Sequence, residues 1–358
     1  MIYIVAFVWV LGILIFVHEL GHFLIAKWAG VKVLKFSLGF GPKLIGKRIG
    51  ETEYMISAFP LGGYVKLLGD NPREKVAKKE EARAFLRQPV RKRMAIVLAG
   101  PLANLLLAVF IFSLLHCVVG IPQLSPVVGE VVDGFPAQKA GVRSGDIILQ
   151  VDAVEITQWA DLPVVITKSE GRKLQLTIKR GEEIVTLTLT PRAGTGKNIF
   201  GEEVKAYQIG IIASGESILK REPVYKAVGM GFYQTWLVIK VTAVSVTKVI
   251  QRVIPVKKAL GGPILIAQIA GKQAQEGFVN LIFFTALISI NLGIINLFPI
   301  PILDGGHLLF LTIEAIRRKP LSVKQMEVAQ QIGLIIIVLL MAFIFYNDIM
   351  RLLPPGAK

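Results

Sequence analysis

Sixteen consecutive residues near the start of the chain, Ile2 to Val17, carry no charge and run directly into His18-Glu19-Leu-Gly-His22. Followed on to Trp28, the segment is about 40 Å long as a helix at 1.5 Å per residue. That is enough to cross a hydrocarbon core of about 30 Å. If the segment is helical, His18 and His22 lie one above the other on one face, about 5–6 Å apart at Cβ. That spacing lets both imidazoles reach one metal ion, while Glu19 stands beside it as a base for a bound water. A metal site at that place in the chain has to lie inside a membrane.

Composition agrees. Hydrophobic residues make up 53% of the 358 residues and charged ones 18%, which favours an integral membrane protein. The net charge of +16 would suit nucleic acid or anionic lipid, and its distribution excludes the first. Residues Lys27 to Arg93 hold 16 Lys/Arg against 6 Asp/Glu, whereas Ile121 to Glu222 hold 12 against 13. A basic loop between apolar segments is the signature of a cytoplasmic loop. Cys117 stands alone, so no disulfide framework and no cysteine metal site is expected. With no basic stretch ahead of the apolar run, the first segment reads as a retained span rather than a cleaved leader.

The expected fold is a multi-pass α-helical membrane protein of about four spans with an inserted α/β domain. Residues 1–120 hold two spans, about Ile2–Trp28 and Met94–Val119. Between them, at about 31–68, period-2 alternation punctuated by Gly and Pro predicts β-hairpins associated with the membrane. Their edge lies next to the metal motif in sequence, and an extended substrate could add to it as a strand. Residues 121–193 read as a small domain of short strands and helices. Residues 194–279 read as a linker followed by interfacial helices, because Val224–Ile254 carries Lys240 near its middle, where a lipid-exposed charge is costly. Residues 280–358 hold the last two spans.

The third span continues into Asn291-Leu-Gly-Ile-Ile-Asn296-Leu-Phe-Pro299-Ile-Pro301-Ile-Leu-Asp304-Gly-Gly-His307. Pro299 and Pro301 break helical hydrogen bonding, and irregular backbone at membrane depth is tolerated only inside protein or beside water. An acid in such a place is a functional candidate by default. Catalytic zinc usually has three protein ligands and one open position, and Asp304 fits the missing third.

His18-Glu19-Leu-Gly-His22 on the first span and Asn296 to Asp304 on the third make the chain similar to the bacterial site-2 proteases. These are intramembrane zinc metalloproteases of the regulator-of-sigma-E type. Ala140-Gly-Val-Arg-Ser-Gly-Asp146-Ile-Ile, among strands in a permuted order, resembles a PDZ domain. The resemblance implies that His18, His22 and Asp304 bind Zn2+, that Glu19 is the general acid/base, and that Asn296 orients substrate or oxyanion. Pro299, Pro301 and Asn104 are candidates for the same support, although Asn104 reads first as a packing residue inside the bundle. It also implies that the substrate is a single-pass membrane protein such as an anti-sigma factor, and that the PDZ-like domain takes a peptide or C-terminus. The sequence has room for one PDZ-like domain, where the best-known members carry two. The expected place is the bacterial inner membrane, with loop 27–93 cytoplasmic and the PDZ-like domain outside. The competing reading is a non-catalytic membrane adaptor with a peptide-binding domain. Charge placement adds one geometric demand: for Asp304 to share a depth with His18 and His22, Val224–Ile254 is expected to lie on the membrane without crossing it.

Overall fold

The computed structural model describes residues 1–71, 73–197, 202–259 and 261–352, so the tail after Leu352 lies outside the described residues. The chain forms two compact units, one from Met1–Leu114 with Tyr225–Lys358 and one from Leu115–Val224.

The first unit begins with helix α1 (Ile2–Trp28), the expected first span. Strands β1 (Val33–Ile49) and β2 (Thr52–Leu67) follow as the expected hairpin. The hairpin is folded over on itself. Lys35 pairs with Lys66 on one side and Glu53 on the other, and the tip segments pair again from Lys43↔Ser57 to Ile49↔Thr52. Leu44, Ile45, Ile49, Ile56 and Phe59 are exposed there, an apolar surface suited to lipid. A charged loop containing two short 3₁₀ turns leads to α2 (Val90–Leu114). α1 and α2 approach closely at Gly21, where a Cβ would come within 2.4 Å of the Ala99 carbonyl oxygen. Small residues permit such contact between membrane helices.

The second unit contains β3 (Ile121–Leu124), β4 (Val128–Val131), α3 (Pro136–Lys139), β5 (Ile147–Val151), β6 (Val154–Glu155), α4 (Asp161–Lys168), β7 (Leu174–Arg180) and β8 (Glu183–Leu189). It continues with β9 (Arg192–Lys197), β10 (Glu203–Gln208), β11 (Ile211–Ala213) and β12 (Ser217–Lys220). One sheet has the order β6-β5-β7-β8. Its inward positions Ile148, Leu174, Leu176 and Ile178 bury against Leu162 and Ile166 of α4, the alternation expected of half-buried strands. Residues 194–222, read from sequence as linker, do not serve as one. β11 pairs with β4, β12 pairs with β3, and Ile209 is buried in the core. The domain therefore runs past 193, because its two N-terminal strands need partners from the far end of the segment.

The chain returns to the first unit with α5 (Val224–Ile250), a short α6 (Val256–Ala259), α7 (Pro263–Glu276), α8 (Phe278–Asn296), α9 (Asp304–Arg317) and α10 (Val323–Leu352). Among the described residues five helices are long and apolar enough to cross a membrane, α1, α2, α5, α8 and α10. That is one more than the four expected.

The additional one, α5, was expected to lie at the interface, and the structure differs. Gly231 packs against Ser113 near the end of α2, and Thr242 hydrogen-bonds Asn291 of α8 at 3.3 Å. α2 and α8 run antiparallel, with Ser289 Oγ donating to the Asn104 carbonyl at 2.7 Å and Phe112 against Phe283. Ser113 and Asn291 are therefore separated along the bundle by about the 16 Å that the α5 stretch from Gly231 to Thr242 covers. α5 runs beside the bundle, in the same direction as α8. Between them the chain must turn back, and α7 does so along α1, with Gly271 on Tyr3 and Ala270 buried among Ala6, Val10 and Leu14. That return leg is why α5 can lie along the bundle while α8 still carries Asp304 to the histidines.

Candidate metal centre

α1 holds His18 and His22 one helical turn apart, with ring centroids 4.8 Å apart. Asp304 comes from the start of α9, beyond the break in helix after Asn296. Gly305 and Gly306 make that break possible. A Cβ on Gly305 would lie 2.2 Å from the Phe298 carbonyl oxygen, and one on Gly306 2.3 Å from that of Ile300. The strand of chain holding Pro299 and Pro301 thus folds directly onto the backbone of α9. As the first residue of that helix, Asp304 also sits at the end of the dipole that favours an anion.

The three side chains meet. His18 Nε2 is 3.1 Å and His22 Nε2 3.5 Å from Asp304 Oδ2, and the two nitrogens are 3.2 Å apart. Zinc bonds of about 2.0–2.1 Å in tetrahedral array put ligand atoms about 3.3–3.4 Å from one another. The donor triangle therefore matches one face of a zinc tetrahedron, in size and in its set of two nitrogens and one oxygen. Gly100 of α2 lies over that face, where a Cβ would be 2.3 Å from His22 Nε2 and 2.8 Å from His18 Cε1. No larger residue fits there without moving the histidines.

Both imidazoles are held from behind. His22 Nδ1 lies 2.8 Å from the carbonyl oxygen of Ile96, which accepts its proton and leaves Nε2 free for a metal. His18 Nδ1 lies 3.3 Å from the Asn104 side-chain nitrogen, while Asn104 Oδ1 is buried with no partner. A half-turn of the amide exchanges the two atoms. Oδ1 then accepts from His18 Nδ1, and Nε2 of His18 is left as the ligand atom.

Glu19 is the next residue round the helix. Its side chain packs on Gly63 of β2, where a Cβ would lie 2.9 Å from Glu19 Cγ, and the Val65 N–H lies near its carboxylate. Val65 pairs with Phe36 on the other side of β2, so this edge of β2 faces the site. Farther along α2 and α9, Arg93 makes a bidentate pair with Glu314 at 3.0 and 2.5 Å and donates from Nε to the Gln88 carbonyl. Glu314 thereby joins α9 to α2.

Sequence reasoning placed His18, Glu19, His22 and Asp304 together, and the structure brings them together. Asn104 reaches the site behind His18. Asn296, Pro299 and Pro301 make no hydrogen bond to the triad among the described residues. Pro301 packs on Gly333 of α10, and the two prolines shape the turn that presents Asp304. Sequence missed the Ile96 carbonyl and the Val65 N–H, which no side-chain pattern signals. It also missed Gly100, whose only signal is a small residue beside Pro101.

A family model described as Peptidase family M50 matches residues 6–340. The chain belongs to peptidase family M50. Its relatives span its whole length. A protein of Mesorhizobium japonicum named as a zinc metalloprotease is 38% identical over 97% of this chain and 98% of its own. A Campylobacter jejuni protein so named is 38% identical over 97% and 93%. The regulator of sigma-E protease RseP of Salmonella typhimurium is 33% identical over 97% and 98%. That last alignment is 446 positions long against 358 residues here, so at least 88 positions face no residue of this M50 chain. The PDZ domain of an SdrC-like protein from Listeria monocytogenes is 19% identical over 26% of this chain and 90% of its own, with a TM-score of 0.21, too low to bear on the fold.

Proposed function

We propose that this M50 protein is an intramembrane zinc endopeptidase that cuts single-pass membrane proteins, such as anti-sigma factors, within or near the bilayer. The observation that carries the reading is the donor triangle of His18, His22 and Asp304 with Glu19 beside it. His18, His22 and Asp304 would hold the zinc. When bound, zinc supplies Lewis-acid polarisation of a carbonyl and acidifies water. Glu19 takes a proton on its carboxylate and hands it to the leaving amine. The Val65 N–H lies near that carboxylate, and Ile96 and Asn104 keep both imidazoles in the tautomer that leaves Nε2 free.

A peptide bond inside a helix is hydrogen-bonded and sterically covered, so the substrate must unwind before attack. The free edge of β2 beside Glu19 offers it a strand to pair with. Loop 27–93 is assigned to the cytoplasm on its charge, which places the Leu115–Val224 unit outside, where it would meet a substrate's outer part as a PDZ-like module. Asn296, near the bend before Asp304, is assigned to substrate positioning.

Co-expression with a tagged single-pass substrate tests the proposal. Wild type cleaves, Glu19→Gln retains zinc but does not cleave, and Asp304→Ala loses zinc and cleavage together. Cleavage persisting in both variants would sink the reading and favour an adaptor.

A further inference from the structure

Beside the metal centre lies a cavity of about 660 Å³, bounded by the end of β2, α2, α9 and the start of α10. We infer that it selects large apolar side chains of the substrate, two to four residues from the scissile bond on one side. This rests on the proteolytic reading above. Two wall residues belong also to the site. Val65, two residues along β2 from the Gly63 on which Glu19 packs, lines the cavity, and so does His307, one turn after Asp304. Leu67, two residues farther along β2, is in the wall as well. At about 3.3 Å per residue, it stands roughly 7 Å past Val65. A substrate strand lying along β2 therefore passes from the reacting carboxylate to the cavity within two to four residues, and alternate side chains point into it.

The wall chemistry sets what enters. Val97, Phe310, Leu311 and Met326 supply apolar surface. The charged groups on the wall are already engaged. Arg93 and Glu314 hold each other, Asp70 accepts the Leu67 N–H at 3.1 Å and pairs with Lys66 at 3.6 Å, and Glu327 pairs with Arg73 at 2.6 Å. Among the described residues every charged wall group already has a partner, so a charged substrate side chain gives up hydration without gaining a free counter-charge. A volume in the range of small-molecule pockets accommodates leucine or phenylalanine with room to spare.

The test is a set of single-pass substrates in which each of five positions on either side of the mapped bond is Gly, Ala, Leu, Phe or Asp. Wild-type enzyme is expected to favour Leu or Phe over Asp by about tenfold or more, at one or two positions two to four residues from the bond and on one side only. Met326→Trp and Leu311→Trp, which fill the cavity from two walls, should lower the Phe/Ala ratio of kcat/KM at those positions by about tenfold and leave other positions unaltered. Met326→Ala should raise the ratio instead, which keeps the test open where a tryptophan prevents folding. Ratios unchanged in the variants that fold overturn the assignment of the cavity, while cleavage itself keeps the protease reading standing. Failure of wild type to cleave any member of the set overturns the protease reading.

Discussion

Substitution of Asn104 by alanine isolates the contribution of a single group behind the metal centre. The amide is fully buried, its backbone carbonyl is independently held by Ser289, and its side chain reaches His18 Nδ1 at 3.3 Å. Alanine removes the acceptor and leaves a buried imidazole N–H unpaired, which costs about 1–3 kcal/mol. Loss of partners of this kind lowers metal affinity about 10–100-fold, or roughly 1.4–2.8 kcal/mol, so the two routes agree. The purified protein in detergent, titrated with zinc against a chromogenic chelator, should show the loss in zinc affinity. Asn104→Asp restores an acceptor and is expected to bind zinc more tightly than the alanine variant. Ser289→Ala, which touches only the backbone oxygen, should change affinity by about threefold at most. Alanine binding zinc as tightly as wild type, or aspartate binding it more weakly than alanine, refutes the role given to Asn104.

Gly100→Ala puts a methyl group where a Cβ would stand 2.3 Å from His22 Nε2; zinc content measured by mass spectrometry should fall well below stoichiometric while the helix content of the purified protein persists. Arg93→Ala leaves the partly buried Glu314 charge without its partner, a loss of at most about 3–5 kcal/mol that a thermal melt reads directly. Pairing Arg93→Met with Glu314→Leu should recover most of it. In the Leu115–Val224 unit, burial pushes the Asp146 carboxyl up, but Arg180 at 2.8 Å and the Arg143 amide outweigh it and hold it below the ordinary value. A lowered folded-state value gives stability that is present above the unfolded carboxyl value and is lost as pH falls through the folded one. Protection of the β5 amides, measured as exchange relative to the intrinsic rate at each pH, should therefore fall as pH drops below about 4, and Asp146→Asn should remove that dependence.

Much of this protein is legible along the chain because its strongest signals are local. Charge-free runs in α1, α2, α8 and α10 announce membrane helices, since lipid forbids unpaired charge and backbone. The i, i+4 spacing of His18 and His22 announces a shared helix face, and the prolines before Asp304 announce a break. What escaped were pairings between distant segments. Residues 194–222 look like a linker because β11 and β12 are short, and only β3 and β4 show that they are strands. α5 looks interfacial because Lys240 interrupts it, and only its contacts with Ser113 and Asn291 place it along the bundle.

The same division runs through the metal centre. Residue types alone nominate His18, Glu19, His22 and Asp304, because metal chemistry needs those donors at those spacings. The tautomers, the clearance at Gly100, the packing of Glu19 on Gly63 and the cavity beyond it depend on backbone atoms of α2 and β2. Every residue carries the same N–H and C=O, so no sequence pattern marks which of them faces a site. Packing decides that.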